Sequence, residues 1–332
     1  MKDLFIIAEA GVNHNNNINL ALKLVDAAKK AGANAVKFQV FKTENYIKKN
    51  APLAAYQRIN TKFKNQFEMI KDLELSENNL NKIIRHCKKK KIQFLASPFD
   101  FWGIEFLKKK NVPIIKIPSG EINNYPYLEK IGKLKRKIIL SSGMSSMGEI
   151  KKAIDILQKN GTSKNKITLL QCHSDYPTKL KNINLRVLGT FIKKFKIKVG
   201  LSDHSQSLLV PSIAVALGAS LIEKHITTDN NMFGPDHKAS LNPANFTIMV
   251  NNIRDTVTAL GSSKKFLSKH EKKNIKIARK SIVALKKIKK GDIFTLKNLT
   301  TKRPALGIPA SNWNSILGKK AKKNFSIDEY IK

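Results

Sequence analysis

The sequence predicts an α/β chain: a (β/α)8 TIM barrel followed by a small β-rich domain. Three observations carry this. Short apolar runs alternate with segments of helical spacing in eight units, without a gap. The runs are nearly continuous in apolar residues, as parallel strands covered on both faces should be. Almost every run also closes on a polar or charged group, and barrels build their sites at the C-terminal ends of their strands. A doubly wound open sheet is the alternative, but it concentrates functional residues near one switch point.

In order, the runs are "LFIIAEAG", "AVKFQ", "IQFLASP", "IIKIPSGE", "KIILSSG", "ITLLQC", "VGLSDH" and "SLIEKH". They deliver Glu9, then Lys37 with Gln39, Ser97, Lys116 with Ser119 and Glu121, Ser141, Ser202 with His204, and finally His225. Helical spacing is read over Ile18–Ala31, Glu68–Lys89, Met147–Asn160 and Gln206–Leu217. A further helix, Pro243–Leu260, stops at Gly261. The polar stretch that follows reads as a linker, which gives a barrel over 1–262, a linker over 263–274 and a small domain over 275–332. A domain that small is marginal alone, so docking on another surface is expected.

The bulk composition narrows the function. At 332 residues the chain exceeds the roughly 250 of one barrel. An apolar fraction of 42% supports a real core and argues against disorder. Cys87 and Cys172 have no framework spacing, so a reducing compartment is expected. No signal peptide or membrane span is visible, and the reading is a cytoplasmic protein. The net charge of +38 raises nucleic-acid binding as a rival function. The lysines are spread along the whole chain, however, and no recognised nucleic-acid motif is present. The charge reads as an ordinary basic surface that attracts anionic small substrates.

His204 and His225 end neighbouring strands and could converge in the barrel mouth. Two imidazoles with open remaining positions suit a divalent ion such as Mn, Fe, Co or Zn, the other reading being two hydrogen-bonded interior histidines. Lys37, Lys116, Ser97, Ser119, Ser141 and Ser202 form a donor set for phosphate or carboxylate. Glu9, Glu121 and Asp236 can act as acid or base, orient water or bind sugar hydroxyls, or simply balance the lysines. Tyr176 and the Asn123–Tyr125 stretch add groups of the kind that line carbohydrate sites.

Taken together, "IIAEAGVNHN", "VKFQ", "ASPFD", "IKIPSGEINNYP", "ILSSGM", "CHSDYPT", "GLSDHS" and "ALGASLIEKHIT" with "GPDHKASLNP" resemble the sialic acid (nonulosonate) synthase family. The tail "SIVALKKIKKGDIFTLKNLTTKRPALGI" resembles its antifreeze-like SAF domain. The resemblance implies condensation of phosphoenolpyruvate with an open-chain N-acyl aminosugar and water, giving a nine-carbon keto acid and phosphate. It implies that His204 and His225 bind Mn2+, with Mg2+ or Co2+ as alternatives, and that Glu9 and Glu121 lie near metal, water and sugar. Lys37, Ser97, Lys116, Ser119, Ser141 and Ser202 would hold phosphoenolpyruvate, Ser97 standing where some relatives have Thr. Asp236 and Tyr176 would face the sugar. Arg303 would reach into the partner's barrel of a domain-swapped homodimer.

The stretch "GPDHKAS" differs from pseudaminate-type members, and His173 and Ser174 replace other small polar residues of some sialic-type ones. The resemblance therefore points to a neuraminate or legionaminate product. The acceptor is N-acetylmannosamine or a 2,4-diacetamido-trideoxy hexose. A pseudaminate synthase, or an enzyme joining phosphoenolpyruvate to another aldose, is the alternative.

Overall fold

Ile7, Ala35, Leu95, Ile139, Leu170 and Leu221 pack on one another as a single buried cluster, and each comes from a different strand. That cluster plugs a closed barrel. The computed structural model describes residues 4–54, 58 and 62–332. Its strands are β1 (Phe5–Gly11), β2 (Ala35–Val40), β3 (Gln93–Pro98), β4 (Ile114–Ile117), β5 (Lys137–Ser141), β6 (Ile167–Cys172), β7 (Lys198–Asp203) and β8 (Leu221–His225). They follow one another in sequence order, and β8 pairs in parallel with β1 to close the ring. The predicted barrel is the observed fold.

Side chains alternate across a strand with period two. Two residues beyond each member of the plug, the same inward face presents Glu9, Lys37, Ser97, Ser141, Cys172 and Glu223. The polar layer is thus stacked directly on an apolar floor. The other face of each strand buries Ile6, Val36, Phe38, Ala96, Leu140 and Leu169 against the helices.

Two helices differ from the sequence reading. The pattern over Glu68–Lys89 is divided into Gln66–Asp72 and Glu77–Lys90. Ser76 adopts an extended conformation, and its hydroxyl caps the second helix by accepting from the Asn79 amide. The helix read over Gln206–Leu217 is shorter, Val210–Ala216. Before it, the Ser205 and Ser207 hydroxyls accept from the amides of Ser207, Leu209 and Val210, which holds that stretch as a turn.

The chain divides after Gly261 into two compact units, the second being Ser262–Lys332. The stretch read as linker carries the start of helix Lys269–Ala278, opened by a reciprocal cap between Ser268 and Glu271. Strands β9 (Ser281–Ala284) and β10 (Leu299–Lys302) then pair antiparallel. Ile282, Ile288, Phe294, Leu299 and Phe325 form this unit's own core. Among the described residues no helix is long and apolar enough to cross a membrane.

Candidate active site

A cavity of about 470 Å3 opens at the C-terminal ends of the barrel strands. It brings together most of the residues singled out in the sequence: Glu9, Lys37, Ser97, Lys116, Ser119, Ser141, Tyr176, Ser202, His204, His225 and Asp236 all line it. Glu121 is not among its lining residues. It is buried in the short turn Ser119–Glu121, where its carboxylate accepts from Asn124 Nδ2 at 2.6 Å, and burial raises its pKa. Asn124 also caps the helix Tyr125–Lys133, and Tyr125 is exposed, so this stretch does local structural work. Arg303 belongs to the second unit, beside the cis bond to Pro304.

The centre of the polar layer is a residue to which the sequence reading assigned no role. Glu223 Oε2 lies 2.9 Å from Lys37 Nζ, and its Oε1 lies 3.3 Å from Lys116 Nζ and accepts from Ser202 Oγ at 2.9 Å. Its position two residues before His225 on β8 was the available signal, because period-two alternation places both on one face. Lys37 Nζ also lies 3.2 Å from Glu9 Oε2 and 3.4 Å from Ser97 Oγ.

Burial sets the charge states. It pushes the Glu9 carboxyl up to about 7 against the pull of Lys37. Burial would raise Glu223 too, but Lys116 and Lys37 outweigh it and hold that carboxyl far below its usual range. Burial pulls the Lys37 amine down, but Glu223 and Glu9 together outweigh it and draw it up, Glu223 with the larger share. The cluster therefore sets two lysine amines around one ionised carboxylate, with Glu9 raised toward neutrality and the Lys116 amine lowered by its burial against the pull of Glu223. Two lysine amines thus converge at the floor of the cavity, and Ser141 Oγ beside them is buried without a hydrogen-bond partner. An anion completes such a site.

The two histidines meet edge to face with ring centroids 5.4 Å apart. His204 Nδ1 lies 2.8 Å from the His173 carbonyl, so that nitrogen donates and Nε2 remains. Tyr176 packs on both rings, at 4.2 Å from His204 and 5.8 Å from His225. His225 Nδ1 is buried without a hydrogen-bond partner, 3.8 Å from Asp236 Oδ2. Burial, together with neighbouring His204, holds His225 neutral well below its ordinary range, while burial lifts Asp236 to about 6. An orphaned neutral imidazole facing a second one with a spare nitrogen suits a divalent cation. Among the described residues no third His, Cys, Asp or Glu completes an ion cage, so remaining positions would fall to water and ligand oxygens.

Two glycines keep this space open. Gly11 has φ +51°, and a Cβ there would stand 3.2 Å from Glu9 Oε1, 3.5 Å from Asp236 Oδ2 and 3.6 Å from His225 Cε1. At Gly143 a Cβ would lie 2.4 Å from Ser174 Oγ and 2.7 Å from Ser119 Oγ, while the Gly143 amide donates to Ser119 Oγ at 3.0 Å. Cys172, Gln39, Tyr46 and Met69 complete parts of the wall and had no assigned role in the sequence reading.

Residues 24–265 match the NeuB family, and residues 279–332 match the SAF domain. The chain belongs to the NeuB family. It is 49% identical over 333 residues to N,N'-diacetyllegionaminic acid synthase of Campylobacter jejuni, covering 100% of both chains. It is 36% identical to human N-acetylneuraminate-9-phosphate synthase, over 98% of this chain and 91% of that one. Among solved structures, the sialic acid synthetase of Leptospira borgpetersenii in complex with citrate superposes with a TM-score of 0.72 at 34% identity. That match covers 82% of this chain and 90% of the other. The resemblance drawn from the motifs is borne out.

Proposed function

We propose that this chain condenses phosphoenolpyruvate with an N-acyl aminosugar and water, giving a nonulosonic acid and inorganic phosphate. The observation that carries the reading is the convergence of the buried Lys37 and Lys116 amines on Glu223, with the unpartnered Ser141 hydroxyl beside them. Phosphoenolpyruvate has a phosphate and a carboxylate to fill it. The lysines and the hydroxyls of Ser97, Ser119, Ser141 and Ser202 hold the donor with its methylene carbon toward the histidines. A carbon–carbon bond forms between that carbon and the sugar's aldehyde carbon, and the aldehyde oxygen becomes a hydroxyl. Water adds to the adjacent carbon, which carries the phosphate oxygen, and phosphate departs with that bridging oxygen, leaving the keto group. Glu9, poised near neutral pH, can hold or yield the proton these steps move.

His204 and His225 would hold a divalent cation, Mn2+ in this proposal, which supplies Lewis acidity to the aldehyde oxygen when bound. Tyr176 and Asp236 orient the sugar beside them. For the acceptor we favour a 2,4-diacetamido-trideoxy hexose, giving a legionaminic acid type of product. The relative at 49% identity supports this. So does an apolar wall of Val12, Tyr46, Met69, Ile70 and Phe99, which suits a deoxy methyl group better than a hydroxymethyl. The proposal includes a cytoplasmic homodimer in which Arg303 reaches the partner subunit's barrel.

The test is mass spectrometry of products from an aminosugar panel with phosphoenolpyruvate and Mn2+. Phosphate release must require both substrates, favour the diacetamido-trideoxy sugar, and disappear in His204→Ala and His225→Ala. Preference for N-acetylmannosamine would overturn the acceptor assignment. Full activity in both histidine variants under chelator would overturn the metal assignment.

A further inference from the structure

On the face of β7 and β8 opposite the histidines lies a buried ion pair that the reaction above leaves unused. Lys224 is fully buried; its Nζ lies 2.6 Å from Asp203 Oδ2 and also donates to the Ser205 carbonyl. Asp203 Oδ1 accepts from the Ser205 amide at 2.9 Å. Asp203 and Lys224 are register partners at the last rung of the β7–β8 ladder. The next residue on one strand is His204, and on the other His225.

Stability does not explain this pair. Burying two charges costs desolvation, and an apolar pair of similar volume fills the same space without that cost. The charged pair contributes direction instead. One ammonium group grips both the carboxylate of Asp203 and the carbonyl of Ser205, and the same carboxylate closes back on the Ser205 amide. His204 is the residue inside that closed turn. Its own carbonyl accepts from the Thr178 amide at 2.9 Å, so the backbone is held from a second side.

We propose that Asp203 and Lys224 are a positioning pair that sets the separation of the His204 and His225 rings for the divalent cation. This rests on the reading of those rings as a cation site. The pair acts through the backbone, not by touching substrate. It makes the spacing a property of the β7–β8 ladder, independent of whatever fills the cavity.

The experiment uses full-length, metal-stripped protein without substrates, with free Mn2+ followed by electron paramagnetic resonance. The double variant Asp203→Leu/Lys224→Met removes both charges together, so that neither is stranded. It is expected to melt within a few degrees of wild type yet to bind Mn2+ at least about tenfold more weakly. Asp203→Asn, which keeps acceptor oxygen and shape, is expected to retain most of the affinity. If the double variant does not fold, Asp203→Glu, which lengthens the pair by one methylene, takes its place with the same expectation of weakened binding. Wild-type Mn2+ affinity in the folded double variant, or in Asp203→Glu where that replaces it, overturns the positioning role alone. A wild-type protein that binds no Mn2+, or a His204→Ala variant that binds it undiminished, overturns the cation reading and this proposal with it.

Discussion

Lys37 Nζ and Glu223 Oε2 lie 2.9 Å apart, both almost fully buried, directly above the apolar plug of the barrel. The pair joins strands β2 and β8, which are not neighbours, since β1 runs between them. Lys37→Met strands Glu223 with only Lys116 and Ser202 as partners. We expect a loss on the order of 3 kcal/mol in urea unfolding, because breaking a buried pair leaves an uncompensated charge. A loss below about 1 kcal/mol would show that water already compensates these groups.

Glu9 gives the stability curve a signature in pH. Its folded pKa of about 7 lies above its ordinary value of 4.5, so the fold favours the protonated acid. That contribution is fully present below pH 4.5 and is lost as pH rises through about 7. Glu9→Gln does not titrate. Relative to wild type it should gain on the order of 2 to 3 kcal/mol between pH 4.5 and pH 8. Urea titrations at pH 5, 6, 7 and 8 measure this, and a constant gap across the series contradicts it.

Gly143→Ala tests the donor cradle. The added methyl meets Ser174 Oγ and Ser119 Oγ well inside contact distance, so Ser119 must shift away from the Gly143 amide. The expected result is a KM for phosphoenolpyruvate raised at least about tenfold, with the aminosugar KM within about threefold. Overpacking should also cost about 1 to 3 kcal/mol of stability. An unchanged donor KM would remove Ser119 from the cradle.

Mixing experiments test the proposed exchange between subunits. Arg303→Ala alone should raise the aminosugar KM, and His204→Ala alone should abolish turnover. Co-refolded mixtures of the two should recover activity, because one barrel then receives an intact Arg303 from its partner. No recovery, with light scattering confirming mixed dimers, would place Arg303 in its own subunit's site or outside any site.

Much was legible in one dimension because parallel strands and barrel mouths leave local signatures. Continuous apolar runs mark Ile6 to Ala8 and Leu221 to Ile222 as buried strands, and polar strand ends mark Glu9, Lys37, Ser97 and His225. Histidines at the ends of adjacent strands need only strand order to meet, and the sequence carries that order. Ser76, by contrast, divides a helical pattern through a cap that competes with the hydrophobic period, so the split over 66–90 was missed.

What the sequence by itself determined, then, was the eight-unit barrel, the tail domain and the set of groups that face the barrel mouth, since each depends on local period and on order along the chain. Only the tertiary structure decided how those groups share charge. Glu223 became the hub between two lysines, Glu121 turned to its neighbour Asn124, and Asp203 with Lys224 formed a pair behind the histidines. Coulomb and desolvation energies depend on distance and burial, and both arise from residues far apart in sequence that strand closure brings within a few ångströms.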